Sequence, residues 1–115
     1  MNQTTSILSF DAFRVSIEVI VALRSVVARV RKHDGPLATQ MRRAASSVSL
    51  NVAEGTRRDG RDKLHLWRIA AGSAQEVVAC LHVAAAWQYV KESSELEALF
   101  ELLDRQLAIL WRLTH

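Results

Sequence analysis

The segment "QMRRAASSVSLNVAEGTRRDG", residues 40–60, decides the interpretation of the fold. It begins with two arginines, continues through small and hydroxyl side chains, and ends in a second basic cluster. Gly55 and the pair Asp59-Gly60 are expected to end a helix that we place over residues 36–57. Apolar residues recur at helical spacing along it and form the stripe Leu37, Met41, Ala44 or Ala45, Val48 and Val52.

Two segments of small residues predict a close contact between helices. Ser46, Ser47, Ser49 and Asn51 compete for backbone hydrogen bonds and so disfavour an isolated helix. The segment "AAGSA", residues 70–74, has a similar composition. Gly72 within a helix costs about 1 kcal/mol relative to Ala, so a packing reason is expected. We therefore expect the two segments to meet, within a subunit or across an interface between subunits.

Three further helices are predicted, over residues 10–32, over residues 62–90, and from Ser94 onward. Gly35 is expected to cap the first helix at its C-terminal end, with Pro36 in the first turn of the next. Ser94 and Glu97 are expected to form a capping box. The first helix has the stripe Phe13, Ile17, Ile20, Leu23 or Arg24, Val27 and Val30. The fourth has the heptad-like seam Leu96, Leu99, Leu103, Gln106, Leu110 and Leu113, in which Gln106 is the one polar member.

The third helix has apolar residues on more than one face. One stripe is Trp67, Ala70 or Ala71, Ala74, Val78, Leu81 and Ala85, and a second set is Ile69, Gly72, Cys80, Val83 and Trp87. A helix that is apolar on several sides is buried on several sides. A small bundle covers only part of such a helix, so this pattern indicates self-association.

Short connections between long helices make sequence neighbours antiparallel, and no strand pattern competes. The fold class is therefore all-α, an antiparallel up-down-up-down four-helix bundle that forms one domain over residues 1–115. Cys80 is the only cysteine, which excludes an intrachain disulfide and a thiolate metal cluster. The N-terminus lacks the pattern of a signal peptide, and the apolar run at residues 19–23 is too short to span a membrane. We expect a cytoplasmic protein with no membrane association.

The charge is unevenly distributed along the chain. Residues 1–68 carry twelve Lys and Arg against six Asp and Glu, whereas residues 69–115 carry three against six. This asymmetry favours a basic surface for nucleic acid or an acidic partner, or subunits that pair a basic face with an acidic one.

The nucleic-acid-binding candidates fall in two groups. Arg57, Arg58, Arg61 and Lys63 lie in a predicted loop, where exposure favours recognition, although a solvated turn would have the same composition. Arg42 and Arg43 could bind phosphate. Alternatively, they form buried or interfacial ion pairs with Glu54 or Glu76, and Arg68 is another possible partner for Glu76.

No catalytic, metal or cofactor site is predicted. Asn51 and Glu54 are neighbours on one helix but lack a nucleophile–base pair, so a structural hydrogen bond is the better interpretation and no enzyme is expected. The histidines are scattered, without the spacing of metal ligands. Cys80 is expected to be an inert apolar residue. Trp67, Trp87 and Trp111 are expected to be core or subunit contacts rather than platforms for base stacking.

Two motifs resemble one family, the large-subunit (23S) rRNA intervening-sequence proteins. The first motif is approximately Q-x-R-R-A-x-x-S-x-x-x-N-x-A-E-G, and the matching residues are Gln40, Arg42, Arg43, Ala44, Ser47, Asn51, Ala53, Glu54 and Gly55. The second is I-A-x-G-S-x-x-E, and the matching residues are Ile69, Ala70, Gly72, Ser73 and Glu76. The family's usual Phe-Pro turn is replaced by "KHDGPL", and its usual Phe in the third helix is Leu64.

The resemblance implies a four-helix bundle that often forms a ring-shaped homopentamer. It also implies a relationship to the accessory variability protein of diversity-generating retroelements, a basic pentamer that binds a reverse transcriptase and nucleic acid. On this basis Gln40, Ser47, Asn51, Glu54, Gly55, Gly72, Ser73 and Glu76 are expected to form a packing or interface motif. The expected function is non-enzymatic binding of RNA, DNA or a reverse-transcriptase-like protein by a homo-oligomer, and the alternative is an assembly or scaffold protein with no nucleic-acid role.

Overall fold

Four α-helices account for most of residues 3–115, which are the residues that this computed structural model describes. They are α1 (Gln3–Arg31), α2 (Gly35–Thr56), α3 (Gly60–Ala86) and α4 (Ser94–Thr114). The described residues contain no strand, so the all-α prediction is confirmed. The largest discrepancy in helix bounds is in α1, which begins seven residues before the expected residue 10.

The helices form a square in chain order. α1 packs against α2 and α4, and α3 packs against the same two helices. Along the α2–α3 contact, partners run in opposite directions, because Gln40 bonds to Glu76, Ser47 to Ser73, and Val52 to Trp67. The predicted antiparallel up-down-up-down bundle is therefore confirmed. Its long dimension is 44 Å, which is about the length of α1 at 1.5 Å per residue.

The caps of α2 and α4 differ from the predictions. Asp34 is the N-cap of α2, and its Oδ1 accepts the backbone N–H of Leu37 at 3.0 Å. Gly35 is thus the first residue of α2 rather than the C-terminal cap of α1. Ser93, not Ser94, caps α4, and its hydroxyl accepts the N–H of Leu96 at 3.1 Å. Ser93 and Ser94 both satisfy the preference for a short polar residue at the N-cap, so this preference did not distinguish between them.

A Schellman motif ends α3 four residues before the predicted end. The N–H of Tyr89 donates to the carbonyl of Ala84 at 2.9 Å, and the N–H of Gln88 donates to the carbonyl of Ala85 at 3.0 Å. Gln88 lies between Trp87 and Tyr89 with a φ of 62°. Glycine is the usual residue at this left-handed position, so the sequence carries no obvious stop signal here.

The core confirms the predicted stripes of α2 and α4. Every member of the fourth-helix seam is buried, Gln106 included. In α2, burial extends beyond the apolar stripe to Ser49, whose hydroxyl donates to Ser16 of α1 at 2.8 Å. This bond satisfies a buried serine and offsets part of the cost that serine adds to helix formation.

The predicted stripe of α1 is partly wrong. Phe13 and Ile17 are 39% and 41% exposed. The core-facing side of α1 includes Leu23 and Val30 from the predicted stripe, and its other members are Ala12, Val15, Val19 and Val26. Two apolar stripes run along this helix, and periodicity alone does not say which one faces its neighbours.

Candidate functional site

The two small-residue segments meet within the subunit. The hydroxyls of Ser47 in α2 and Ser73 in α3 lie 2.8 Å apart. Asn51 is half-buried, and its Nδ2 donates to the carbonyl of Ser47 at 2.9 Å and to the Ser47 hydroxyl at 3.1 Å. The predicted contact is therefore confirmed. Asn51 bonds within its own helix, which orients the Ser47 hydroxyl toward α3.

Gly55 allows the closest approach between α2 and α3. A Cβ atom at this position would lie 2.6 Å from Cδ1 and 2.7 Å from Nε1 of Trp67. The Trp67 ring is buried, and its Nε1 donates to the backbone carbonyl of Val52 at 3.3 Å. Only glycine leaves room for this ring, so Gly55 belongs to the packing motif for a steric reason.

The expected packing role of Gly72 is not fulfilled within the subunit. A Cβ atom at Gly72 would have no atom within 4 Å, and the residue is exposed. The contact with α2 is made by the next residue, Ser73. Gly72 lies on an outward face of α3 that also carries Ile69 and Val83, which are 39% and 43% exposed.

Arg42 and Arg43 lie in separate grooves on either side of α2. Arg42 lines a groove of about 370 Å³ between α1 and α2. Arg43 lines a groove of about 630 Å³ on the α3 side, together with Gln40 and Glu76. Both arginines are exposed, and neither forms an ion pair within the described part of the chain.

The alternative of ion pairs for these arginines is therefore wrong within one subunit. Gln40 contacts Glu76 instead, with its Nε2 donating to Oε1 at 3.1 Å. A pairing of Glu76 with Arg68, the other possibility considered, is also absent among residues 6–115. Arg42 and Arg43 remain available on the surface for a partner.

Glu54 pairs with the basic cluster that follows it. Arg58 donates from Nε and Nη2 to Glu54 Oε1 at 3.0 and 2.9 Å. Arg57 is more loosely held, with Nη1 at 3.9 Å from Oε2 and a side chain that is 80% exposed. Because one carboxylate faces two guanidinium groups, the cluster keeps a net positive charge at this point.

Two further cations, Arg61 and Lys63, lie in the first turn of α3, which begins at Gly60, so the prediction that these two residues lie in a loop is wrong. Lys63 places its Nζ 5.4 Å from the centre of the Trp67 ring, which is cation–π geometry. Arg61 is exposed and forms no ion pair within the described residues. Asp59 and Asp62 lie among these cations and reduce the net charge. We refer to residues 57–63, the connection between α2 and α3 together with the first turn of α3, as the basic loop.

The described residues contain no cluster of three or more His, Cys, Asp or Glu side chains suited to a metal ion. Cys80 is buried, as the apolar interpretation predicted. Burial raises the pKa of its thiol, and the nearby Glu76 carboxylate raises that pKa further. These features describe an unreactive thiol.

The helix α3 is long and apolar enough to cross a membrane by length and composition alone. Those two properties do not distinguish it from the core helix of a bundle. The side of α3 that includes Trp67, Ala74 and Leu81 is buried against α2 and α4. Packing within the bundle thus accounts for one side of α3, whereas its outward face, which carries Ile69 and Val83, stays exposed.

Sequence reasoning predicted uncovered apolar residues on α3, such as Ile69 and Val83, but it missed the exposed apolar stripe of α1. Trp67 is in the core as expected, whereas Trp87 and Trp111 are 67% and 60% exposed. Two features of the sequence could have indicated this exposed surface. One is the second apolar stripe of α1, and the other is the position of Trp87 and Trp111 near the ends of their helices. The large hydrophobic residues that are exposed are Ile7, Phe10, Phe13, Ile17, Val21, Leu50, Ile69, Val83, Trp87 and Trp111.

Comparison with known proteins agrees with this architecture. A crystal structure of a protein of unknown function, from the S23 ribosomal protein family of Bacteroides thetaiotaomicron VPI-5482, has a TM-score of 0.79 to this chain. The similarity covers 90% of this chain and 97% of that one at 17% sequence identity, so it shows a shared fold. No curated protein matches the sequence. The family model described as 23S rRNA-intervening sequence protein matches residues 9–111. This chain therefore belongs to the family of 23S rRNA-intervening sequence proteins.

Proposed function

We propose that this protein is a non-enzymatic, self-associating helical bundle that binds nucleic acid, or a protein that handles nucleic acid, through the basic loop. The observation that carries the proposal is the exposure of Arg57 and Arg61 at one end of the bundle. Exposed guanidinium groups can form paired hydrogen bonds with phosphate oxygens.

The surroundings of the loop support a phosphate contact. Arg58 is oriented by Glu54, which leaves the more exposed Arg57 to reach outward. Because the helices are antiparallel, the end of α4 lies at the same end of the bundle, and its last turn carries Arg112. The opposing charges near the loop are the carboxylates of Glu54, Asp59 and Asp62, so the positive potential is moderate rather than strong.

Self-association is supported by the exposed apolar faces. Phe10, Phe13, Ile17 and Val21 form a stripe along the outside of α1 at intervals of three and four residues. Contiguous apolar surface of this kind is typical of a protein–protein interface. We propose a homo-oligomer, and a pentamer is the number that the family resemblance implies.

The test is a fluorescence-anisotropy titration with labelled structured RNA and duplex DNA at two salt concentrations. The double variant R57E/R61E should bind more weakly. The dependence of log K on log salt should become shallower by about 0.9 for each phosphate of duplex DNA that the variant no longer neutralises. R105E is the matched control, because Arg105 is exposed near the middle of α4, about 14 Å of helix before the end that lies beside the loop. Equal affinity and equal salt dependence for wild type and R57E/R61E would refute the proposal.

The second candidate is a scaffold with no nucleic-acid role, and the charge distribution specifically favours it. Arg42 and Arg43 lie on α2, whereas Glu97, Glu101 and Asp104 are exposed on α4, the helix diagonally opposite. Copies that pair α2 with α4 would bring opposite charges together. Sedimentation velocity tests this candidate, which predicts that high salt dissociates the oligomer and that the protein binds neither RNA nor DNA.

A further inference from the structure

Three aromatic rings lie together at the end of the bundle opposite the basic loop. His33, after α1, and Tyr89, after α3, have ring centroids 5.1 Å apart and an angle of 3° between their planes. Trp87 lies 6.4 Å from Tyr89 at an angle of 17°. The three rings are thus nearly parallel, and we refer to them as the aromatic row. The up-down order of the helices brings these two connections to the same end.

Backbone hydrogen bonds hold the main chain that carries two of the rings, those of Tyr89 and His33. The Schellman motif reverses the chain at Gln88 and sends Tyr89 back over the last turn of α3. Val90, the next residue, is buried in the core and anchors the turn. The N–H of His33 donates to the carbonyl of Val30 at 2.9 Å, which positions the opposite end of the row. A row held in this way needs little reordering when it binds a flat ligand.

The fold makes little use of the Trp87 ring. Its exposed fraction is 67%, and it belongs to neither of the two core clusters. Tyr89, in contrast, is half-buried and packs against the main core. Tyr89, in the middle of the row, is therefore held by the core, whereas most of the surface of the outer ring, Trp87, is accessible to a ligand.

Cations surround the aromatic row. Lys32 and Lys91 flank it in sequence and are exposed, and Arg31 donates to the Thr39 hydroxyl at 3.2 Å. The carboxylates facing this region are those of Asp34, Glu92 and Glu95. Asp34 is engaged as the cap of α2, and Glu95 is held by Arg29 at 2.8 Å. Glu92 forms no ion pair among the described residues, so the ammonium groups of Lys32 and Lys91 are opposed by one unpaired carboxylate and leave a net positive charge for a phosphate beside the rings.

We propose that the aromatic row is a binding site for unpaired bases of a single-stranded nucleic acid. A base would stack on the open surface of Trp87, while Lys32 and Lys91 contact the flanking phosphates. Stacking on an aromatic side chain requires a free base face, which a continuous duplex does not offer. The site is separate from the basic loop and is selective for unpaired strands, whereas contacts with phosphate alone are not. The inference therefore goes beyond the proposed function and does not depend on it.

The test uses short single-stranded RNA and DNA of one sequence, each with a central 2-aminopurine, and the same strands annealed to complements. We expect wild type to alter the 2-aminopurine fluorescence of single strands and to bind them more tightly than the duplexes. W87A should weaken single-strand binding about tenfold or more and leave duplex binding unchanged. W87F should retain most of the binding, because a phenyl ring also stacks. The RNA and DNA arms show whether the sugar contributes.

Two control variants separate the aromatic row from the other aromatic and basic groups on the surface. W111A removes an equally exposed tryptophan, which stacks on His115 at the other end of the bundle, and should leave binding unchanged. R57E/R61E alters the basic loop and should preserve the preference for single strands even if total affinity falls. The proposal is overturned if wild type shows no preference for single strands. It is also overturned if W87A binds single strands as tightly as wild type does. A third contrary outcome is that W87A forms less oligomer in sedimentation but binds as tightly as wild type when the two are compared at equal concentrations of oligomer.

Discussion

Substitution of Gly55 by Ala tests whether the contact between α2 and α3 is as close as the structure indicates. The added Cβ would lie 2.6 Å from Trp67 Cδ1, 2.7 Å from Trp67 Nε1 and 3.3 Å from the backbone carbonyl of Lys63. Ordinary contacts between carbon atoms are about 3.5–4.0 Å. The indole ring must therefore move by about 1 Å, and it is only 3% exposed, with core atoms around it.

Three terms set the expected change in the free energy of unfolding. Overpacking of a well-filled core costs about 1–3 kcal/mol. Movement of the ring also breaks the 3.3 Å bond from Trp67 Nε1 to the carbonyl of Val52, which costs about 1 kcal/mol. Replacing Gly by Ala in a helix returns about 1 kcal/mol. The net destabilisation is about 1–3 kcal/mol, or a fall in Tm of roughly 4–12 °C for a domain of this size.

The assay is thermal unfolding followed by far-UV circular dichroism at one fixed protein concentration, because self-association stabilises by mass action. Gly72→Ala is the matched control, since its Cβ would meet nothing within 4 Å. Its helix propensity should raise stability by about 0.5–1 kcal/mol. If Gly55→Ala melts at or above the wild-type temperature, the steric clash with Trp67 is refuted. A loss of stability or of oligomer in Gly72→Ala would instead place that glycine in an interface between subunits.

Two further predictions concern buried polar groups. Gln106 is buried, and neither its Nε2 nor its Oε1 is hydrogen-bonded within the described residues, so Gln106→Leu should stabilise the protein by about 1–3 kcal/mol in urea unfolding; a less stable variant would mean that the amide has a partner, such as an enclosed water. The raised pKa of Cys80 predicts that the thiol reacts more slowly with an aromatic disulfide reagent in the folded protein than in urea at the same pH, and comparable rates would contradict this. Because the folded pKa lies above the unfolded one, the stabilising contribution of Cys80 is present below the ordinary thiol pKa of about 8.5 and is lost as pH rises through the folded value. Wild type should therefore lose stability relative to Cys80→Ala in alkaline buffer.

Local patterns predicted the helices well because the helical and strand periodicities of apolar residues differ strongly. The stripes of α2 and α4 were each flanked by polar residues, so only one face could be buried. In α1 both Val15 and Ile17 lie on apolar stripes, and the choice depended on the shape of the neighbouring helices. Val15 is fully buried in the bundle, whereas Phe13 is 39% exposed.

The sequence predicted which residues belong to the candidate site, but it did not predict which of their side chains bond to each other. The exposure of Arg57 and Arg58 followed from the Asp-Gly pair after them, which favours a turn, whereas the inclusion of Arg61 and Lys63 in α3 did not follow from it. The partner of Glu76 did not follow, because Arg42, Arg43, Arg68 and Gln40 all lay within reach on an antiparallel pair of helices. The orientation of α2 selected Gln40, which lies nearest the α3 face.

The sequence by itself determined the fold class, the number of helices and the antiparallel order, because these depend on periodicity and on the shortness of the connections. It also determined that the segments around Ser47 and Ser73 meet, since small side chains are costly unless another helix approaches. The tertiary structure alone decided which stripe of α1 is buried and which arginines stay unpaired. It also alone placed His33 beside Tyr89. These features depend on contacts between residues far apart in the chain, which local spacing does not encode.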